Sequence, residues 1–261
     1  MSDTTPALVN PFTVEGQVLL VSGGGGAIGG AIGRVFARSG GAKVAVADLA
    51  GNPRHHELAA ELRAEGFEAV AVDGDITVEA EANALVAQVE NELGPVDILV
   101  NNAGIASQTP FWETTFDDWL RGLNVHLNGS YLLTRAVVNG MRERGRGSLI
   151  QMSSIAAQQG TLTGDAAYST AKAGLVGFTK TLAQTLGPFG IRANAIAPGV
   201  VDTPLLHSVH NEESLGRILA RVPMRSLIDP VEIANVALFL ASPGSAQVTG
   251  LTVDVGGMVM R

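Results

Sequence analysis

Seven short runs rich in Val, Ile, Leu and Ala recur along the chain, at 17–22, 43–48, 68–73, 96–101, 147–152, 191–197 and 251–255. Apolar runs of this length that do not alternate are what strands buried on both faces look like, and such strands need helices covering both faces of their sheet. The intervening segments supply them. Ala82, Leu85, Val86, Val89 and Leu93 recur at helical spacing, as do Leu175, Phe178, Leu182 and Leu186, so each set makes one stripe to lay against a sheet. The alternation predicts an α/β fold with a parallel seven-stranded sheet. Gly and Pro mark the joins, at Gly40-Gly41, Gly94-Pro95, Gly187-Pro188 and Pro198-Gly199, and no linker-like stretch divides the chain. The reading is an arm at 1–16 and a single domain at 17–261. Within it 202–230, the longest interstrand segment without a clean stripe, is a candidate lid over a site at the strands' C-terminal edges.

Composition narrows the partners. Asp and Glu outnumber Lys and Arg by 25 to 17, and nucleic acids and anionic lipid surfaces need a basic face, so neither is expected as a partner. No cysteine is present, which excludes disulfides, thiolate zinc sites and cysteine nucleophiles. The start, MSDTTPALVNPFTVEG, has no basic opening or apolar core segment, and no run approaches the ~18 apolar residues of a membrane span. A cytoplasmic location is the expectation. His55-His56 and the pair His207 and His210 have no third ligand at a recognisable spacing, so no metal is expected.

Residues 21–33 read VSGGGGAIGGAIG. A strand, a glycine turn and a helix starting near Ala27 expose backbone N–H groups at the positive end of a helix dipole, a bed for a pyrophosphate. Gly24, Gly26 and Gly29 match G-x-G-x-x-G, and Asp48 lies 19 residues beyond Gly29, close to the ~20 expected of a carboxylate that accepts from an adenosine ribose. That framing distinguishes a nucleotide turn from a spacer. The charge of Asp48 would repel a 2′-phosphate and its neighbour Leu49 offers no cation, which favours NAD over NADP.

Further on stand NNAG at 101–104, SS at 153–154, YSTAK at 168–172, and APG followed by VDTP at 197–204. In this order, at expected strand ends and with the glycine turn, they resemble the short-chain dehydrogenase/reductase family from about residue 17 onward. Tyr168 and Lys172 are four apart and share a helix face, where an ammonium favours a phenolate. The resemblance implies that Tyr168 is the general acid/base and also a cofactor contact, that Lys172 binds the nicotinamide ribose and, with the positive nicotinamide of the oxidised cofactor, lowers the tyrosine's pKa, and that Ser154 polarises the substrate. It places Ser22, Gly23, Gly26, Ala27, Ile28 and Gly29 in the phosphate turn, and Asp48 and Leu49 at the ribose. Asp75 and Ile76 would contact adenine, Asn101, Asn102, Ala103 and Gly104 the adenosine side, and Pro198, Gly199, Val201 and Thr203 the nicotinamide.

The chain departs from the family at three points. Ala27 replaces the turn's middle glycine; Gly23 and Gly29 keep the register, Gly24, Gly25 and Gly26 are spare apart from offering close backbone approach, and φ at Ala27 should be negative. His126 stands where the family's fourth catalytic residue, an asparagine, is usual, and Asn124, two positions earlier, would face elsewhere. The asparagine's attributed role is to hold a relay water through its carbonyl, which His126 would keep; the other reading is a tolerated helix residue. Ser154 precedes Tyr168 by 14 residues, one more than the pattern, which leaves Ser153 as a competitor.

The expected protein is thus a doubly wound Rossmann domain with strand order 3-2-1-4-5-6-7, transferring a hydride between NAD and a secondary alcohol or ketone. An NADPH-linked 3-oxoacyl-carrier-protein-type reductase and a non-catalytic dinucleotide-binding regulator are the alternatives. Gln108, Trp112, Ile155, Gln158, Thr161, Leu205, Leu206, His207 and Met224 are the substrate contacts expected for a mixed pocket. The resemblance and the apolar helices at 112–141 and 166–186 imply a homotetramer, with the tail GGMVMR packed on a neighbour.

Overall fold

The computed structural model describes residues 10–107, 109–161, 164–209 and 211–256, without the side chains of Leu205 and Val209. In chain order the elements are β1 (Val18–Ser22), α1 (Ala27–Arg38), β2 (Lys43–Asp48), α2 (Arg54–Ala64), β3 (Ala69–Asp73), α3 (Glu79–Leu93) and β4 (Val96–Asn101). They continue with α4 (Phe116–Leu123), α5 (Gly129–Arg144), β5 (Gly147–Met152), α6 (Ala156–Gln159), α7 (Ala166–Leu186) and β6 (Ile191–Pro198). The last are α8 (Pro204–Val209), α9 (Glu212–Leu219), α10 (Pro230–Ala241) and β7 (Thr252–Val255).

The seven strands form one sheet of order β3-β2-β1-β4-β5-β6-β7 with every neighbouring pair parallel. Each expected run coincides with a strand to within one residue at either end. The central strands β1 and β4 are buried along their whole length, whereas the edge strand β7 is only half-buried. One layer, with Ile32 and Phe36 of α1 against α10, covers one face; Leu85 of α3 with Leu133 and Met141 of α5 cover the other. The stripe Ala82 to Leu93 is buried throughout. In the α7 stripe, Leu175, Leu182 and Leu186 are buried, but Phe178 is half-exposed, its ring 6.2 Å from that of Tyr131 on α5.

Residues 10–16 are tied in rather than free. Val14 is buried and its N–H donates to Gly40 O at 2.8 Å, and Gly16 N donates to Gly41 O at 3.0 Å. The expected lid, 202–230, carries α8 and α9 and is closed at its base by a bridge between Val201 and Ile228. The tail at 258–261 lies outside the described residues. Among those described, no helix is long and apolar enough to cross a membrane.

Candidate active site

The turn after β1 is built from backbone closeness. Gly23 has φ +66, and a Cβ there would lie 2.8 Å from Ala103 Cα. A methyl on Gly29 would lie 2.2 Å from Gly23 O. Both positions therefore require glycine, one by conformation as well as by space. Ser22 Oγ accepts from the N–H groups of Asn102 and Ala103, both at 3.1 Å, and Asn102 Nδ2 donates to Ser22 O at 3.0 Å. The ends of β1 and β4 are thus stitched together beneath the turn. α1 opens at Ala27 after Gly26 at φ −78, with no side chain capping its first N–H groups. Ala27 is not among the residues with positive φ. The uncapped N–H groups and the missing side chains fit a pyrophosphate.

Gly24 and Gly25, spare to the register, are held to glycine by close approach to the chain itself. Gly24 lies where a Cβ would meet Val46 Cβ at 2.8 Å, and one on Gly25 would meet Asn52 Nδ2 at 2.3 Å. The turn packs onto β2 and the loop after it, an approach that a local motif cannot reveal. Gly24 N donates to Ala47 O at 2.9 Å. Gly25 N donates to Asp48 Oδ2 at 2.9 Å, Asn52 Nδ2 to the same oxygen at 3.0 Å, and Leu49 N to Asp48 Oδ1 at 2.8 Å. A carboxylate offers about four acceptor positions, so Asp48 keeps room for a ribose hydroxyl.

From this turn a groove of about 800 Å³ runs along the C-terminal edges of β1 to β4. It is lined by Gly23, Gly26, Ala27, Ile28, Asp48, Leu49, Asp75, Ile76, Asn102, Ala103, Gly104 and Thr203. Ser22 and Gly29 are buried beneath it, and Asn101 is buried against Ser130, Thr134 and Gln151. Pro198, Gly199 and Val201 stand outside its lining: Gly199 N donates to Val255 O at 2.8 Å, and Val201 pairs with Ile228. The groove also takes in residues that sequence reasoning missed, chiefly Asn52, Arg54, Leu120, Arg121 and Val125. Arg54 stands six residues after Asp48, so it offers the cation that Leu49 does not.

Beyond β5 the reactive groups meet. Ser153 Oγ donates to Lys172 O at 2.8 Å, so its hydroxyl is already engaged. Ser154 Oγ accepts from Ala156 N at 3.1 Å and hydrogen-bonds the side chain of Tyr168. Asp165 caps α7: Oδ1 accepts from Tyr168 N at 2.9 Å and Oδ2 from Ser107 N at 2.9 Å, which binds the loop after β4 to the tyrosine's turn. Lys172 is buried one turn along, its Nζ donating to Met152 O at 2.6 Å and lying 5.5 Å from the centre of the Tyr168 ring.

The expected lowering of Tyr168 by Lys172 is not what the chain alone produces. Burial raises the phenol above its ordinary range; the hydrogen bond from Ser154 works against that rise and the charge of Asp165 adds to it. Burial also pulls Lys172 down to about 7, depleting the charge that was to act on the phenol,. The spacing of the two residues was legible; their shared desolvation was not.

His126 lies in a π-helical turn, Asn124–Asn128, between α4 and α5. Its buried ring meets Tyr168 edge-on with centroids 5.1 Å apart, and Nε2 lies 2.7 Å from Ile105 O. Burial, with Lys172 second, holds it down to about 3, so the ring is neutral through physiological pH. Its carbonyl accepts from Ser130 Oγ at 2.7 Å. The same ring explains Gly104, where a Cβ would come within 2.6 Å of His126 Cε1.

Of the expected substrate contacts, Trp112 is 83% exposed and Met224 76% exposed. Gln158 Nε2 donates to Asp254 Oδ1 at 3.0 Å, and His207 Nε2 lies 2.6 Å from Asp202 Oδ1. Gln108 and the side chain of Leu205 lie outside the described residues.

Known proteins share this architecture. A family model described as enoyl-(acyl carrier protein) reductase matches residues 25–258. An acetoacetyl-CoA reductase of Shinella zoogloeoides is 39% identical over 241 residues, covering 92% of this chain and 97% of that one. A 3-oxoacyl-acyl-carrier-protein reductase of Pseudomonas aeruginosa is 36% identical over 250 residues, covering 95% and 100%. A solved structure from Beutenbergia cavernae, assigned as an NAD(P)-dependent gluconate 5-dehydrogenase and holding NADP at low occupancy, superposes with a TM-score of 0.88. It is 31% identical and the match covers 94% of this chain and 97% of that one.

Proposed function

The chain belongs to the short-chain dehydrogenase/reductase family, and from that premise we propose that it moves a hydride reversibly between NAD(H) and a secondary alcohol or ketone. The observation that carries this reading is the meeting of Ser154, Tyr168 and Lys172 beyond β5, at the C-terminal edge of the sheet that also bears the groove. When bound, the nicotinamide supplies the hydride acceptor or donor. The uncapped N–H groups at the start of α1, beside Gly23, would hold the pyrophosphate,, and Asp48 would accept from the ribose. Ser154 donates to the substrate oxygen and fixes it beside the phenol. Tyr168 then takes the hydroxyl proton in oxidation and returns it in reduction. Lys172 spends one ammonium hydrogen on Met152 O and in its charged form keeps two for a ribose hydroxyl. Neutral His126 orients the Tyr168 ring.

NAD over NADP is read from Asp48, whose carboxylate is fixed at the groove wall by three hydrogen bonds and would repel a 2′-phosphate. A second reading, an NADPH-linked reductase of 3-oxoacyl thioesters, draws support from Arg54 on the same wall and from the activities of the relatives named above. Fluorescence titration separates the two. NAD should bind at least about tenfold more tightly than NADP, and Asp48→Asn, which keeps the side chain's shape and loses its charge, should narrow that gap. Equal binding of the two dinucleotides by the unaltered protein would hand the assignment to the second reading.

The exposed Phe111, Trp112, Phe116 and Tyr131 on and around α4 and α5 support assembly into a homotetramer through paired helices. Thr203 and Pro204 on the groove wall support a covering role for the segment they begin.

A further inference from the structure

Consecutive helix residues ordinarily point about 100° apart, yet His55 and His56, in the first turn of α2, converge. The Nε2 atoms approach one and the same oxygen, Asp73 Oδ1, at 2.9 and 3.0 Å, with ring centroids 4.2 Å apart. One donor atom from each of the three residues lies within 4.8 Å of the other two. Sequence spacing offers this histidine pair no third ligand. The fold does, by setting the end of β3 beside the start of α2. We propose that His55, His56 and Asp73 form a binding site for a borderline divalent transition metal, zinc being the first choice.

Zinc held by imidazole nitrogen and carboxylate oxygen at about 2.0–2.1 Å sets tetrahedral neighbours roughly 3.3 Å apart. The two observed nitrogen–oxygen separations fall a few tenths of an ångström short of that, so each ring need draw back from Asp73 only slightly, while the two histidine donor atoms lie within 4.8 Å of each other. Two imidazoles with one carboxylate suit zinc, nickel or copper and disfavour magnesium and calcium, which take oxygen. His55 is fully buried and its Nδ1 has no partner among the described residues, so the contact at Nε2 is the ring's one polar tie. His56 and Asp73, at 52% and 44% exposed, leave an approach from solvent. Three protein ligands leave a fourth position for water. The cluster is separate from Ser154, Tyr168 and Lys172, and its neighbours in sequence, Arg54 and Gly74, line the far end of the groove.

The test is calorimetric titration of Zn²⁺ into the intact, chelator-treated protein carrying no histidine tag. One equivalent should bind with a micromolar Kd, and at ~100-fold excess over Kd the unfolding midpoint should rise by about 5 °C or more. His56→Gln and Asp73→Asn, both at exposed positions, should each weaken binding at least about tenfold without lowering the zinc-free midpoint. His207→Gln, which removes the ring beside Asp202, should leave the zinc affinity as it was. Saturation absent up to ~100 μM zinc, or binding that survives both His56→Gln and Asp73→Asn, would show a hydrogen-bonded cluster and no metal site. Neither readout involves the dinucleotide or turnover, so its failure leaves the hydride-transfer reading untouched.

Discussion

Tyr168→Phe should lower kcat for alcohol oxidation by about 10²–10⁴-fold, the range a positioned acid/base contributes, while NAD affinity stays within about threefold. The substitution removes only the hydroxyl. The ring keeps its edge contact with His126 and its place over Lys172, so the groove, which Tyr168 does not line, keeps its walls. Burial holds the phenol above its ordinary pKa in the chain alone, so at neutral pH it carries the proton that ketone reduction consumes. Reduction should accordingly fall at high pH, and oxidation should climb as pH rises, because it needs the deprotonated form. Both slopes should vanish in the variant. Steady-state kinetics across pH, with a fluorescence titration of NAD, read all of this. A variant keeping more than a tenth of wild-type kcat would remove Tyr168 from the chemistry.

Gly29→Ala should cost the protein its dinucleotide binding by about 100-fold or more. The new methyl would lie 2.2 Å from Gly23 O and 2.8 Å from Asn102 Nδ2. The carbonyl cannot retreat cheaply, because Gly23 holds a left-handed φ with no room between it and Ala103 Cα. Relief has to come from the turn or from the first turn of α1, the two elements whose N–H groups would meet the pyrophosphate. Overpacking of this kind typically destabilises by about 1–3 kcal/mol, which for a chain of this length lowers Tm by roughly 2–4 °C per kcal/mol. The binding loss should exceed what the Tm change accounts for. Wild-type affinity in a folded Gly29→Ala variant would mean that the pyrophosphate lies elsewhere.

The strands were legible because those buried on both faces have little freedom in composition: KVAVAD and VDILVN could hardly sit at a surface. That Tyr168 and Lys172 share a helix face was legible from their four-residue spacing, and YSTAK stood out only in the company of the other motifs. What escaped depended on long-range closeness or on burial. Gly24 and Gly25 are required by Val46 and Asn52, more than twenty positions away. The π-turn at Asn124–Asn128 shifts helical register by one residue, a change that periodicity cannot resolve, and it brings His126 to Tyr168. Arg54 reaches the groove because the loop after β2 folds back over the glycine turn, where Asn52 meets Asp48. The direction of the Tyr168 shift follows from how deeply the pair is buried, which spacing does not carry.

Hydride transfer itself is read most directly by isotope. Secondary alcohols deuterated at the carbinol carbon, incubated with the purified protein and NAD, should yield reduced nicotinamide carrying one deuterium from that carbon, detected by mass spectrometry. Reduced nicotinamide without the label, or no reduction across a broad panel of secondary alcohols and, in reverse, of ketones with NADH, would contradict direct transfer at this site.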